Sequence, residues 1–201
     1  MKYYIEVTLM KTDDFSPYEL WSRIYTQLHI AFAEIKDTYD KVNIGVSFPQ
    51  YRFNAEKGVG FLGEKIRIFA QSQADLEKLN IQKWFDRLTD YLHITSIREV
   101  PENKITGYAI YRRKQVKTNP QRLARHRVKR GDIGFDEALA RYSNVVTTTD
   151  LPYIQLQSLS TSDEQDKRLF KLFIEKKSAE KSETQVFSTY GLSSQSSVPE
   201  F

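Results

Sequence analysis

Apolar side chains fall at every second position between Lys2 and Leu9, on Tyr3, Ile5, Val7 and Leu9, which is the period of a strand with one covered face. Ser16-Pro17-Tyr18-Glu19 then offers a helix cap, a proline at the first helical position and the glutamate of a capping box. Behind it Leu20, Ile24, Leu28 and Phe32 recur at four-residue spacing and predict a helix to about Ile35. A second strand is expected from Asn43 to Phe48, closed by Pro49, and a third from Glu64 to Ala70. Between them the stretch from Gln50 to Gly63 carries Gly58, Gly60 and Gly63 and reads as a connection. Helices are expected from Ala74 to Leu79 and from Gln82 to Leu92, then a fourth strand from Ile94 to Val100.

The order β-α-β-β-α-β over residues 1–100 predicts an α+β chain that begins with a ferredoxin-like domain. Many RNA-binding modules use this fold, but it hosts unrelated functions too. Ile68-Phe69 also lacks the Gly-Phe surroundings of the RNA-recognition motif. Residues 108–201 predict a smaller, irregular second region. A strand is expected from Tyr108 to Lys114, a helix capped by Asn119-Pro120 and stopped by Gly131, and a short helix from Phe135 to Tyr142. Strands follow from Tyr153 to Ser160, Arg168 to Glu175 and Thr184 to Tyr190, with an exposed turn from Lys176 to Ser182. The Ser-rich stretch from Ser193 to Ser197 ends in Val-Pro-Glu-Phe, which is apolar enough to dock.

Composition narrows the classes. The 201 residues are 40% hydrophobic and 28% charged, as expected of a folded, soluble chain. The absence of cysteine excludes disulfides, thiolate metal sites and a cysteine nucleophile. The alternating start has no apolar core of a signal peptide, and no apolar run approaches the roughly 20 residues of a membrane span. A cytoplasmic protein with no membrane association is expected.

Charge is distributed unevenly. Between Arg112 and Arg130 stand nine basic residues and no acidic one, out of 30 basic and 26 acidic in the chain. The remainder therefore holds 21 basic and 26 acidic, a net of −5 set against +4 for the whole. One reading is a solvated basic helix, but such helices usually carry interspersed acidic partners. The other is a polyanion site. On the expected helix Arg122, Arg125, His126 and Lys129 share one face, followed by Arg130, while Leu123 and Val128 are its only large apolar residues. So little apolar surface gains little from packing, whereas a phosphate-lined groove would hold the helix in place. With about six phosphate contacts, affinity should fall roughly a thousandfold between about 50 and 200 mM salt. Arg113 and Gln115 precede the helix two residues apart, so in extended chain they point the same way, and such a pair can read guanine and adenine edges.

Three histidines are present, His29, His93 and His126, and no two have metal-ligand spacing; no metal or cofactor is expected. His29 sits beside Leu28, flanked by Tyr25 and Phe32, and taken alone reads as a half-buried histidine at the edge of the core. Ser158 and Ser160 share a face of an expected strand without a nucleophile elbow around them. RNA cleavage needs no protein nucleophile, however. The substrate's 2′-hydroxyl can attack the adjacent phosphate if a group titrating near neutrality moves its proton.

Several blocks, in order along nearly the whole chain, resemble one family. They are Leu28-His29; Ile44-Gly45-Val46-Ser47-Phe48-Pro49; Lys117-Thr118-Asn119-Pro120-Gln121-Arg122-Leu123; Asp150-Leu151-Pro152; Ser158-Leu159-Ser160-Thr161; Phe170-Lys171-Leu172-Phe173-Ile174; and Tyr190-Gly191-Leu192-Ser193. Together they resemble the CRISPR-associated repeat-processing endoribonucleases of the type I-F (Csy) branch. The resemblance implies a metal-independent, single-turnover enzyme that binds the stem-loop of each CRISPR repeat and cuts at the 3′ base of the stem. It also implies a 2′,3′-cyclic phosphate product, retention of the mature guide RNA, and assembly with other subunits of a type I-F surveillance complex by a protein that is a monomer when free.

Residue by residue, the resemblance makes His29 the proton-transfer group, Ser158 the holder of the 2′-hydroxyl and Tyr190 the orienter of His29. It assigns Arg113 and Gln115 to the base pairs nearest the cut and Phe170 to the terminal pair as a stacking platform. Arg122, Arg125, Lys129 and Arg130 would follow the phosphates with His126, and Ser160 would join the RNA contacts. His126 and Lys129 stand where the family pattern has arginine, and the interval from Ser160 to Phe170 is longer than the pattern. The alternatives are a catalytically silent hairpin-binding subunit and a duplex-DNA binder using the same helix.

Overall fold

The computed structural model describes residues 1–116, 120–143, 149–158 and 169–201, with side chains at all of these except position 122. Strand β1 (Tyr3–Leu9) leads to helix α1 (Pro17–Ile35). Ser16 Oγ accepts from the Glu19 amide, and the Glu19 carboxylate accepts from the Ser16 amide, so the capping box forms as its sequence predicts. The α1 stripe of Leu20, Ile24, Leu28 and Phe32 is buried, widened by Trp21, Tyr25 and Ala31. After α1 come β2 (Lys41–Val42), β3 (Gly45–Ser47), β4 (Arg52–Asn54), β5 (Val59–Phe61) and β6 (Lys65–Ala70).

The expected connection before β6 is therefore a hairpin. Gly60 lets it lie against the 150–152 segment, because a Cβ there would sit 2.5 Å from Pro152 Cδ. Next are α2 (Gln73–Leu79) and α3 (Ile81–Phe85), then a 3-10 turn over Asp86–Tyr91. Asn80 separates the helices with φ of 44°, and its amide closes the end of α2 on Leu76 and Glu77 carbonyls. The helix expected from Gln82 to Leu92 is thus short, and Leu92 already begins β7 (Leu92–Ile94). The fourth strand is two pieces, β7 and β8 (Arg98–Glu99), both paired with β1.

The first sheet runs β3-β6-β1-β7 with every pair antiparallel. One face is apolar, with Ile5 opposite Ile68 and Val7 opposite Ile66. On the other, Glu6 accepts from Lys65 Nζ at 2.7 Å and Arg67 Nε at 2.8 Å. The second region holds β9 (Gly107–Lys114), α4 (Pro120–Val128), α5 (Phe135–Ser143), β10 (Tyr153–Gln157), β11 (Leu169–Ala179), β12 (Phe187–Ser188) and β13 (Val198–Glu200).

Four of these strands form an antiparallel sheet in the order β10-β11-β9-β13. The exposed turn expected from Lys176 to Ser182 is mostly strand. β11 pairs with β9 as far as Ala179 opposite Tyr108, and Lys176 Nζ meets Glu200 at 2.5 Å, so the ladder and an ion pair hold a polar run extended. The strand expected from Thr184 to Tyr190 shortens to β12, and Thr189-Tyr190 turn instead. The strand expected to reach Ser160 ends at Gln157. The tail docks: Ser196 and Ser197 are buried and β13 adds to β9.

One hydrophobic cluster joins the two sheets and α1, taking in Ile24, Leu28 and Ile68 together with Tyr111, Ile154, Leu172 and Val198. Among the described residues no helix is long and apolar enough to cross a membrane.

A histidine corner and a basic hairpin

His29 lies at the edge of the buried α1 stripe, as the half-buried histidine of the sequence reading would. Its partners decide its chemistry. Nδ1 donates to the Thr189 carbonyl at 2.8 Å, which fixes the Nδ1–H tautomer of the neutral ring and leaves the lone pair on Nε2. The Tyr190 ring stacks on the imidazole with centroids 4.1 Å apart and planes 7° from parallel. Burial pushes the imidazole below its ordinary pKa, the bond to Thr189 opposes that shift, and the positive charges of Arg113 and Lys36 reinforce it. His29 is therefore neutral at neutral pH.

The turn that carries Thr189 and Tyr190 is fixed from several sides. The hydroxyl of fully buried Tyr25 donates to the Tyr190 carbonyl at 2.8 Å. The Val46 amide donates to the Gly191 carbonyl at 3.0 Å, and the Ser188 and Leu192 backbones bond at 2.8 Å. Gly191 has φ of 67°, and a Cβ there would stand 2.6 Å from Val46 Cγ1 and 2.9 Å from Phe32 Cε2. Any other residue would push the turn away from α1. Burial also drives the Tyr25 hydroxyl pKa far upward, so it stays a donor.

Arg113, on β9, brings charge to this corner. Its guanidinium carbon lies 5.8 Å from the Tyr190 ring centroid and 5.4 Å from that of Phe170 on β11. The β9–β11 register sets this up: Arg113 is opposite Ile174, whose face of β11 also carries Leu172 and Phe170. Ser158, half-buried, follows directly on β10, whose last residues Leu156 and Gln157 pair with Phe170 and Leu169.

His29, Tyr190, Arg113 and Phe170 thus gather in one place, with Ser158 at the adjoining strand end. Gln115 is exposed, just beyond the end of β9. Ser160 and the Asn119 cap lie outside the described residues, as does the side chain of Arg122. Sequence reasoning gave Tyr25, Thr189 and Gly191 no role at the site. Tyr25 stands four residues before His29 and so shares its side of α1, a spacing open to reading. The Thr189 partner is a backbone carbonyl and has no side-chain signal.

The basic helix α4 is half of a helical hairpin with α5. Ala124 and Ala138 are buried where the two pack together, which supplies the apolar contact that the sequence pattern did not promise. Arg125, His126, Lys129 and Arg130 are exposed. The segment also borrows acids from outside itself. Arg127 pairs with Asp132, and Arg112 with Glu175, directly across the ladder at 2.5 Å. Among the described residues no ion pair engages Arg113, Lys114, Arg125, Lys129 or Arg130.

A stacked, half-buried histidine beside an arginine and an aromatic platform, next to an exposed basic hairpin, defines a candidate nucleic-acid-processing site. The model of the family described as "CRISPR-associated protein (Cas_Csy4)" matches residues 4–201. A protein of Escherichia coli (strain UTI89 / UPEC) named CRISPR-associated endonuclease Cas6/Csy4 is 33% identical over the full length of both chains. One of the same name from Pseudomonas aeruginosa (strain UCBPP-PA14) is 34% identical, again over both full lengths. A solved structure titled "An RAMP protein binding different RNA substrates" aligns over 99% of each chain at 10% identity and a TM-score of 0.33, too low to bear on function. The chain belongs to the Cas_Csy4 family, as its sequence blocks suggest.

Proposed function

We propose that this protein is an endoribonuclease that binds the stem-loop of a CRISPR repeat and cuts the strand at the 3′ base of the stem. The observation that carries the reading is the His29 corner: a neutral imidazole with Nδ1 engaged by Thr189, stacked on Tyr190 and facing the charge of Arg113. Its Nε2 lone pair takes the proton of the 2′-hydroxyl. The 2′-oxygen attacks the adjacent phosphorus, the bond from phosphorus to the 5′-oxygen breaks, and that oxygen is protonated. The products are a 2′,3′-cyclic phosphate and a 5′-hydroxyl. A histidine titrating near neutrality can move such a proton without a metal.

Ser158 holds the 2′-hydroxyl in line. Phe170, with Arg113 over its ring, receives the terminal base pair, and such stacking is worth roughly 1–3 kcal/mol per base. Arg113 and Gln115 read the pairs nearest the cut. Arg122, Arg125, His126, Lys129 and Arg130 follow the phosphates of the stem, with Ser160 among the contacts. After one turnover the protein keeps the guide RNA and carries it, as a monomer, into a type I-F assembly in the cytoplasm.

The division of labour follows the chain. Residues 1–100 supply His29 from a unit whose order β1-α1-β3-β6-α2/α3-β7 and strand sequence β7-β1-β6-β3 fit the ferredoxin-like plan, and residues 108–201 supply the RNA grip.

The test is incubation of the repeat RNA with wild-type and His29→Ala protein in EDTA, resolved on a denaturing gel. Wild type should cleave. The variant should lose about 10²–10⁴-fold in rate or more while binding the hairpin nearly as well. Cleavage only with magnesium would sink the mechanism. A wild type that binds but never cuts would make the chain a silent hairpin-binding subunit, and preference for DNA of the same sequence would overturn the reading altogether.

A further inference from the structure

A cleft of about 730 Å³ opens beside the histidine corner, between α1, the α3 turn and the outer end of β10 and β11. Its walls include Arg23 and Thr26 of α1, Lys83 and Arg87 of the α3 turn, and Gln157 and Leu169 of the strands. None of these has a role in the reading above. Two of its three walls nevertheless abut a residue that does. Thr26 is three residues before His29 and on the same side of α1. Gln157 precedes Ser158, and Leu169 precedes Phe170. The cleft therefore lies within a few residues of the place where the strand would be cut.

Its chemistry is that of a single-strand channel. Arg23, Lys83 and Arg87 are exposed cations, and Asp86 is the one carboxylate among the described residues of the lining. Gln155 and Gln157 both point outward on β10, alternating with buried Ile154 and Leu156. Their amides offer donors and acceptors to base edges. Leu169 stays 65% exposed on a strand end, and Trp84, with Lys83 Nζ 5.4 Å from its ring centroid, forms an apolar wall. Cations that track a backbone beside apolar and aromatic surface are what sequence-tolerant single-strand binding requires. A small-molecule pocket would be more enclosed and less charged.

We infer that this cleft binds the single-stranded RNA that leaves the base of the hairpin. The inference rests on the proposed hairpin reading and adds a second RNA site to it, reached by a strand that the stem contacts do not hold. It makes Arg23, Lys83 and Arg87 phosphate contacts and the β10 glutamines base contacts.

The experiment measures binding of three RNAs, each with a 2′-deoxy nucleotide at the cut so that none is cleaved: the bare repeat hairpin, the hairpin with a 5′ single-stranded extension, and the hairpin with a 3′ extension. Wild type is compared with the full-length variant Arg23→Ala/Lys83→Ala/Arg87→Ala, whose substitutions are all at exposed positions; equal melting temperatures verify its fold. One extension should tighten wild-type binding about tenfold at about 50 mM salt, and that increment should be gone by about 200 mM, as three single-strand phosphate contacts imply. The variant should lose the increment and bind the bare hairpin within about twofold of wild type.

The arm that responds tells which flank lies in the cleft. If neither extension tightens binding, or if the variant weakens the bare hairpin as much as the extended ones, the inference is wrong while the hairpin reading stands. If wild type does not bind the bare hairpin at all, the hairpin reading fails and takes this inference with it.

Discussion

Around His29 the protein fixes positions with buried contacts, whereas on α4 it leaves charge free at the surface. The 188–192 turn is held by a fully buried tyrosine hydroxyl, by three backbone bonds and by a glycine with no room for a Cβ. Arg125, His126, Lys129 and Arg130 stand exposed on a helix whose one extensive packing partner among the described residues is α5. On the proposed function, the difference follows from what each region has to do. Proton transfer is sensitive to shifts of an ångström or less, so its group needs rigid neighbours. Attraction to a phosphate backbone falls off slowly with distance, so flexible cations on a lightly anchored helix serve as well. Damage to the corner should therefore appear in rate, and damage to the hairpin in affinity and salt dependence.

The largest separation should come from the hairpin. Arg125→Ala/Lys129→Ala/Arg130→Ala removes three exposed cations, none of them in an ion pair among the described residues. Hairpin affinity should fall by roughly a hundredfold at low salt. The log–log salt slope should become shallower by up to about three. Cleavage at saturating RNA should stay close to wild type. Filter binding over a salt series and single-turnover kinetics measure the two quantities, and a drop in saturated rate comparable to the drop in affinity would erase the distinction.

Tyr25→Phe probes the corner from behind. It removes one hydroxyl that donates to the Tyr190 carbonyl and leaves a half-buried acceptor without it. Stability should fall by about 1–3 kcal/mol, the usual cost of orphaning a buried group. The saturated cleavage rate should drop with little change in hairpin affinity, because the loosened turn carries the carbonyl that fixes the His29 tautomer. Urea unfolding and single-turnover kinetics test the pair of effects. Unchanged kinetics beside the stability loss would make Tyr25 a core residue only.

How much of this was legible in the sequence differs between the two regions. The basic hairpin announced itself through charge, since nine cations without an acid are visible in composition. What composition hid was that Arg112 and Arg127 are neutralised by Glu175 and Asp132, which lie outside the stretch. The frame of the first sheet was legible because period-2 alternation and the capping box are local signals. The 50–63 hairpin was not, because its strands are short and its Gly60 answers to Pro152, far away in sequence. The polar end of β11 was missed for a related reason: pairing with β9 on one side holds it extended although its own residues resemble a turn. His29 was visible as a residue but not as a site. Its partners are a carbonyl and a ring 160 residues away, and neither follows from spacing along the chain. Only the resemblance of the surrounding blocks raised it above a half-buried core histidine.

The smallest expected effect is also the most specific to the corner. Arg113 disfavours the charged form of His29, ranking behind burial and the Thr189 bond among the causes of its shift. Removing that charge as Arg113→Ala should raise the His29 pKa toward its ordinary value, because a cation nearby penalises imidazolium and not the neutral ring. In the RNA-free protein an imidazole ¹⁵N titration by NMR reads this directly and reports the tautomer too. Wild type should titrate below about 6.5, with the proton on Nδ1 in the neutral ring. The variant should titrate higher with the same tautomer, since the Thr189 bond is untouched. A matching change is expected in the pH–rate profile: cleavage by a neutral base is full above the His29 pKa and declines as pH falls through it, so the acid limb should move upward in the variant. A variant that titrates where wild type does would mean that the guanidinium sits near the Tyr190 and Phe170 rings without acting on the imidazole, leaving it a role toward RNA alone.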